Sequence, residues 1–313
     1  MRIAIVGPGA MGCLFAYLLS RDPSHEIWLV DILPERVETL RSAGLLVEGV
    51  SGTHHLRPLV SMDPAGIGLV DLVILTVKAP DTYAAALSAL PLLGRETLVL
   101  TLQNGMGNIE EIDRAIGPGR TLGGTTSMGA TVLAMNRIRH AGWGETIVGE
   151  PAGKTRTASR AEKILALFKG CGLEASFTED LDGLLWSKLV INAGINPLTA
   201  LTRLHNGQLL EHSGTRAVME AAVKEAAKVA EAGNIRLLYG APVEKVAGVC
   251  RATAGNVSSM LQDVLRELRT EINQITGVIV REGARLGVPV PVNESLLNLV
   301  RTVEESYSKR VAP

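Results

Sequence analysis

Arg2-Ile3-Ala4-Ile5-Val6, followed by Gly7-Pro8-Gly9-Ala10-Met11-Gly12, decides the fold: a short apolar run closes on G-x-G-x-x-G. Working outward, residues 13–20 are apolar and helix-favouring, and Glu26–Val30 is a second apolar run ending in Asp31. The order strand, glycine turn, helix, strand is the context in which this motif holds a dinucleotide. Its glycines let the backbone turn tightly and approach a pyrophosphate, whose charge rests on the helix N-terminus. Gly7, Gly9, Ala10, Met11 and Gly12 are therefore the expected cofactor contacts; an ordinary glycine turn would need neither the helix nor the second strand. Asp31 can accept hydrogen bonds from the adenosine ribose hydroxyls and repels a 2′-phosphate, which favours NAD(H) over NADP(H). Arg36, a little further on, can reach a phosphate and softens that preference.

The same alternation continues. Residues 34–43 form a charged helix, residues 45–50 and 56–60 read as short strands, and residues 69–77 are almost wholly apolar, as a strand buried on both faces should be. Lys78 follows that strand. Ligands of open α/β sheets gather at strand C-termini, so Lys78 is placed for a cofactor phosphate or ribose, although a solvated loop lysine fits equally. The strand at residues 96–102 leads into Gln103-Asn104-Gly105-Met106-Gly107-Asn108. Asn104 there is a candidate ligand contact, or a turn residue tolerating an unusual backbone conformation. Residues 121–149 read as the far edge of the sheet, and a helix at 159–169 and a strand at 174–177 complete the first domain. The expected division is residues 1–179 and 180–313.

Beyond it the pattern turns helical, over residues 184–201, 207–232, 242–252, one long helix from about 257 to 286, and 296–309. Lys188, Asn192 and Asn196 recur at i, i+4 within a largely apolar run, so they stack along one helix face. Burying an ammonium and two carboxamides without partners would cost several kcal/mol, so something polar must meet that face: solvent and internal partners, or a ligand. In the long helix, Ser259 and Glu271 lie toward one side, Asn256 or Ser258 can cap its start, and Glu271 reads as an ordinary surface carboxylate until other evidence bears on it.

Composition excludes several classes. The chain has 313 residues, is 46% apolar with few aromatics, and balances 31 Lys and Arg against 32 Asp and Glu for a net charge of −1. Nothing in that balance suits nucleic acid or an anionic membrane surface. Three widely spaced cysteines show no metal-ligand spacing and suit a reducing compartment. A start that runs directly into the glycine turn predicts neither a signal peptide nor a membrane span. A cytoplasmic protein without a metal is expected.

Taken together, Gly7–Gly12, Thr76-Val77-Lys78-Ala79, Gln103–Gly107, Trp186-Ser187-Lys188-Leu189 through Asn196-Pro197-Leu198-Thr199-Ala200, Asn206-Gly207, Ser258–Asp263 and Thr270-Glu271-Ile272 resemble the ketopantoate reductase (2-dehydropantoate 2-reductase) family, in that family's order and over nearly the whole chain. The resemblance implies an α/β Rossmann N-terminal domain plus an all-α C-terminal domain of the 6-phosphogluconate dehydrogenase C-terminal-like kind, with the active site in the cleft between. Carried over, Lys188 is the general acid that protonates the ketone oxygen, and Glu271 pairs with it or binds the nicotinamide ribose. Asn192, Asn196 and Asn256 hold the substrate's hydroxyl and keto-acid oxygens, Ser259 holds its carboxylate, and Asn104 sits between nicotinamide and substrate. Asn206 matches without a firm role, and Lys78 and the glycine loop hold the dinucleotide.

The expected reaction is hydride transfer from NAD(P)H to 2-dehydropantoate, giving (R)-pantoate on the route to pantothenate and coenzyme A. NADP(H) is the family default, and many members carry a basic residue where this chain has Asp31, which favours NAD(H). The rivals are an NAD-dependent D-2-hydroxy acid dehydrogenase or 2-keto acid reductase on the same scaffold, and a dinucleotide-binding sensor without turnover. A small-molecule 2-keto acid is the expected partner, with no nucleic acid and no membrane; the helical domain could support a homodimer.

Overall fold

Alternate residues of the first strand divide the core of the N-terminal unit. In β1 (Arg2–Val6), Ile3 and Ile5 enter one apolar cluster, and Ala4 and Val6 enter another on the opposite face. The structure, a computed structural model, describes residues 1–151 and 158–309. Two compact units emerge: Met1–Gln103 with Gly107–Leu181, and Asn104–Met106 with the chain from Asp182 onward.

In chain order the first unit contains α1 (Ala10–Leu19), β2 (Glu26–Val30), α2 (Pro34–Ala43), β3 (Leu45–Gly49), β4 (His54–Leu56), β5 (Leu59–Ser61), β6 (Val70–Leu75), α3 (Thr82–Ser88), β7 (Leu93–Thr101), α4 (Asn108–Ile116), β8 (Thr121–Thr126), β9 (Gly129–Ala134), β10 (Arg137–Gly142), β11 (Thr146–Gly149), α5 (Ala158–Gly170) and β12 (Ala175–Thr178). The main sheet runs β12-β11-β8-β7-β6-β1-β2-β5. All neighbours from β5 to β8 are parallel, as is β11 with β12; β11 lies antiparallel to β8. Leu14, Phe15 and Leu18 of α1 and Phe168 of α5 cover the Ile3/Ile5 face, with Phe15 and Phe168 stacked at 5.7 Å. Ala86 of α3 and Ile112 of α4 cover the other. Strand β6, enclosed on both faces, buries Leu72, Val73, Ile74 and Leu75 completely.

Two sequence expectations need correction here. The run at 56–60 is divided: Pro58 has no N–H to continue a ladder, so β4 and β5 separate and enter different sheets. Residues 121–149 are not a single sheet edge either. β8 and β11 extend the main sheet, but β9 and β10 turn away to form a second sheet of order β4-β3-β10-β9, where Ile138 joins the α1 cluster.

Among its described residues after Asp182 the second unit has helices and no strands: α6 (Leu181–Thr202), α7 (Ser213–Ala232), α8 (Pro242–Ala252), α9 (Ser259–Leu265), α10 (Thr276–Leu286) and α11 (Pro291–Glu305). Val190 and Ala193 of α6 pack on Met219, Ala222, Val223 and Ala226 of α7, with Val246, Ile279 and Val300 from α8, α10 and α11. Among the described residues no helix is long and apolar enough to cross a membrane. The start of α11 is capped from outside: Glu225 on α7 accepts the amides of Val292 (3.0 Å) and Asn293 (2.9 Å) and the Asn293 carboxamide (2.8 Å). Glu225→Ala strands those buried donors and should lower unfolding free energy by about 2 kcal/mol, read by urea denaturation.

The single helix expected from 257 to 286 is broken. Helix α9 ends at Leu265, and Glu267 takes the left-handed conformation (φ 55°) while Leu268 N–H donates back to the Asp263 carbonyl. The chain then passes through turns until α10 begins at Thr276. Ser259 and Glu271 therefore do not share a helix face, and Glu271 stands in a non-helical segment.

Candidate functional site

The glycine turn sits where the parallel sheet reverses its direction of growth, with β2 on one side of β1 and β6 on the other. Such switch points are where open α/β sheets bind ligands, outside the strand C-termini. Gly7 (φ +84°) donates to the Val30 carbonyl, and a side chain there would stand 2.4 Å from Val77 Cγ1 and 2.8 Å from Val77 N. Thr76 Oγ1 donates to the Gly7 carbonyl at 2.8 Å, which ties the turn to the end of β6. A Cβ on Gly9, the N-cap of α1, would meet only open space out to 4.0 Å. The first intrahelical bond runs from Cys13 N–H to Gly9 O, so the preceding amides of Ala10, Met11 and Gly12 lie at a helix end with no acid in its first turn. Room above Gly9 and donors at a positive helix end fit a pyrophosphate. Lys78 follows β6 and caps the short turn Ala79–Asp81.

Asp31, 7% exposed, is already engaged. Its Oδ1 accepts the Leu33 amide at 3.0 Å, and its Oδ2 accepts Arg36 Nη1 at 3.1 Å. The guanidinium partly neutralises the carboxylate, while Arg36 Nε is buried without a partner.

In the second unit, α6 carries Lys188, Asn192 and Asn196 on one continuous helix, as their spacing predicts. Lys188 is half-buried, and desolvation pushes its ammonium down to about 8, the nearby Glu271 charge pulling the other way. Glu271 is 6% exposed, so it is no surface carboxylate; its Oε2 accepts Asn104 Nδ2 at 3.2 Å. The structure thus brings Lys188, Glu271 and Asn104 together from three stretches far apart in sequence.

The remaining expected residues lie around the α9 start. Asn196 is buried, and Thr199 beyond it shares a 2.7 Å hydrogen bond with Ser258. Ser258, not Asn256, is the N-cap of α9, accepting Leu261 N–H at 3.1 Å. Asn256 and Ser259 are exposed. Asn206 pins two loops together: its amide donates to the Asn256 carbonyl, its Nδ2 to Thr253 Oγ1 at 2.9 Å, and its Oδ1 is buried with no partner.

Sequence reasoning passed over Gln103. Its Nε2 donates to the Val77 carbonyl and to Thr82 Oγ1, both at 2.8 Å, and its Oε1 accepts Thr101 Oγ1 at 2.8 Å. Thr82 in turn donates toward Asn108 Oδ1 at 3.1 Å. This network holds the turn that carries Lys78. The only signal was a carboxamide directly after a buried strand.

A parallel sheet with a glycine turn at its switch point, followed by a helical unit bearing a desolvated lysine, defines a Rossmann-type oxidoreductase scaffold. The description of the ketopantoate reductase PanE/ApbA family matches residues 3–153, and that of its C-terminal part matches residues 180–304. The 2-dehydropantoate 2-reductase of Halobacterium salinarum is 35% identical over 97% of this chain and 99% of its own length. That of Vibrio cholerae is 34% identical over 99% of this chain and 100% of its own. Among solved structures, a PanE/ApbA family ketopantoate reductase from Ralstonia eutropha superposes with TM-score 0.88 at 32% identity, covering 98% of this chain and 99% of that one. D-mandelate dehydrogenase bound to NADH and anilino(oxo)acetate superposes with TM-score 0.90 at 26% identity, covering 99% of this chain and 100% of that one. The chain belongs to the ketopantoate reductase family.

Proposed function

We propose that this protein is a 2-dehydropantoate 2-reductase. When bound, a reduced nicotinamide dinucleotide would supply the hydride taken up by the keto carbon of 2-dehydropantoate, and Lys188 would donate the proton taken up by the ketone oxygen, giving (R)-pantoate. The observation that carries this reading is the desolvated Lys188 ammonium within the electrostatic reach of the buried, Asn104-bonded Glu271. A donor titrating near neutrality gives up its proton readily, and its charge stabilises the developing alkoxide. Asn192, Asn196, Asn256 and Ser259 then orient the substrate, with Asn206 supporting the loop that bears Asn256. Gly7, Gly9, Ala10, Met11, Gly12 and Lys78 hold the dinucleotide, and Asn104 and Glu271 are proposed to reach its nicotinamide end. The test is oxidation of NADH and NADPH, followed by absorbance, with 2-dehydropantoate and a panel of 2-keto acids. Turnover with 2-dehydropantoate above the others is expected.

The likeness to D-mandelate dehydrogenase favours one second reading, an NAD-dependent D-2-hydroxy acid dehydrogenase. Preference for a bulky aryl keto acid in the same panel would replace the first reading with this one.

For the cofactor, NAD(H) is proposed as preferred, because a buried carboxylate stands where a 2′-phosphate would approach; Arg36 tempers that preference by neutralising it. Arg36→Ala should widen the NADH-to-NADPH ratio of kcat/KM by about tenfold or more, since the Asp31 carboxylate would then meet a 2′-phosphate without its guanidinium partner. Asp31→Arg should shift preference toward NADPH. An unchanged ratio in both variants would remove this pair from cofactor choice.

The pH dependence follows from Lys188. Keto-acid reduction needs the protonated ammonium, present below about 8, so kcat for reduction should fall as pH rises through that value. Oxidation of the hydroxy acid needs the free amine and should rise through the same value.

A further inference from the structure

Glu271 stands in a stretch with no regular structure, yet the residues flanking it are held on both sides from one helix, one through its backbone amide and one through its side chain. Thr270 N–H donates to Glu304 Oε1 at 2.6 Å, and Asn273 Oδ1 accepts Arg301 Nε at 2.9 Å and Nη2 at 2.5 Å. Beyond these, Tyr307 OH donates to the Leu268 carbonyl at 2.9 Å, and Arg281 on α10 donates to the Asn273 carbonyl at 3.2 Å. Glu304 and Arg301 lie three residues apart, on one face of α11. From the other direction the 104–106 strip closes the segment, with Asn104 on the carboxylate and Met106 N–H on the Gln274 carbonyl. A carboxylate on a turn has no helix to fix it, so its position is that of its flanking peptide bonds.

We propose that the last turns of α11 are a positioning device for the site: Glu304 holds the Thr270 amide and Arg301 the Asn273 side chain, on either side of Glu271, and so set where its carboxylate stands against Lys188. They are positioning residues, since they act through Thr270 and Asn273. The inference rests on the functional reading above only for its effect on turnover; the geometric part does not. Charged groups on the elements packed around the segment are Asp182 and Lys188 on α6, Asp263 on α9, Arg281, Glu282 and Arg285 on α10, and Glu294, Arg301, Glu304 and Glu305 on α11, with Arg266, Glu267 and Arg269 within the segment itself. Burial pushes the Lys188 ammonium down, and Glu271 is the charge that opposes this. Withdrawing Glu271 must therefore move the Lys188 titration to lower pH.

The experiment reads Lys188 directly, by acetic anhydride labelling of the intact protein across pH with mass spectrometry of the Lys188 peptide, alongside steady-state kinetics. Glu304→Ala and Arg301→Ala should each move the Lys188 titration downward, in the direction of Glu271→Gln. They should also lower kcat by about tenfold to a hundredfold, the scale of a small misplacement at a reacting centre, with cofactor KM within about twofold of wild type. Glu304→Gln keeps an oxygen acceptor for Thr270 N–H and should restore most of both. If an alanine variant fails to fold, Tyr307→Phe deletes a single hydroxyl and should move the titration the same way by less. An unmoved Lys188 titration in folded variants overturns the proposal, even if their Tm falls, because α11 would then be scaffold alone. Absence of turnover by the wild type would sink the functional reading, whereas the labelling would still decide the clamp.

Discussion

Lys188→Ala is expected to lower kcat for keto-acid reduction by about 10²–10⁴-fold, the range a positioned general acid supplies. In the proposed role two contributions are lost together in this variant: the proton that would complete the alcohol and the charge that would steady the alkoxide. Lys188→Arg separates them. A guanidinium keeps the charge but holds its proton far above working pH, so a large loss in this variant too assigns the role to proton transfer, and substantial recovery assigns it to charge. Cofactor affinity, read by NADH fluorescence titration, should stay within about threefold, because the dinucleotide contacts proposed here come chiefly from the glycine turn and Lys78. Alanine favours the helical state, so α6 should persist. Retention of more than about a tenth of wild-type kcat would remove Lys188 as proton donor.

The parts of this architecture legible in the sequence are those whose cause is local. Strand β1 ends at Val6 because Gly7 takes a positive φ, and α6 was readable because its apolar run carries its polar stripe at helical spacing. The second sheet was not legible: Arg137 on β10 reaches Glu48 on β3 across 89 residues, and no local pattern states that pairing. The break after α9 was hidden for a related reason. Leu261, Val264, Leu265, Leu268, Ile272 and Ile275 keep helical spacing, and neither glycine nor proline interrupts residues 257–276. What halts the helix is tertiary, in the hydrogen bonds that Glu304, Arg301 and Tyr307 make to the segment. At the site itself, Lys188 and Glu271 could be named from a motif. That Glu271 is buried and bonded to Asn104, and that Gln103 braces the Lys78 turn, required the fold.

Gly105→Ala is expected to cost about a hundredfold in kcat, although the residue bears no chemistry. Gly105 has φ +82°, and a Cβ built there would lie 2.5 Å from the Gln274 carbonyl oxygen and 2.8 Å from its carbon. Two penalties coincide: about 1 kcal/mol for an L-residue in the left-handed region, and a clash with backbone, which cannot swing aside as a flexible side-chain tip can. The strip must lift, and with it go the Met106 N–H bond to Gln274 and the Asn104 carboxamide on Glu271. A displacement of that size at an acid–base pair accounts for the loss. Gly105→Asn tells the two causes apart. Asparagine tolerates a positive φ but places the same Cβ against the same carbonyl. If backbone strain dominates, Gly105→Asn should recover much of the activity that Gly105→Ala loses; if the contact dominates, as the 2.5 Å approach indicates, both variants should be equally impaired and both should shift the Lys188 titration. Wild-type turnover in Gly105→Ala would mean the Glu271 segment stands without the strip, which its hydrogen bonds argue against.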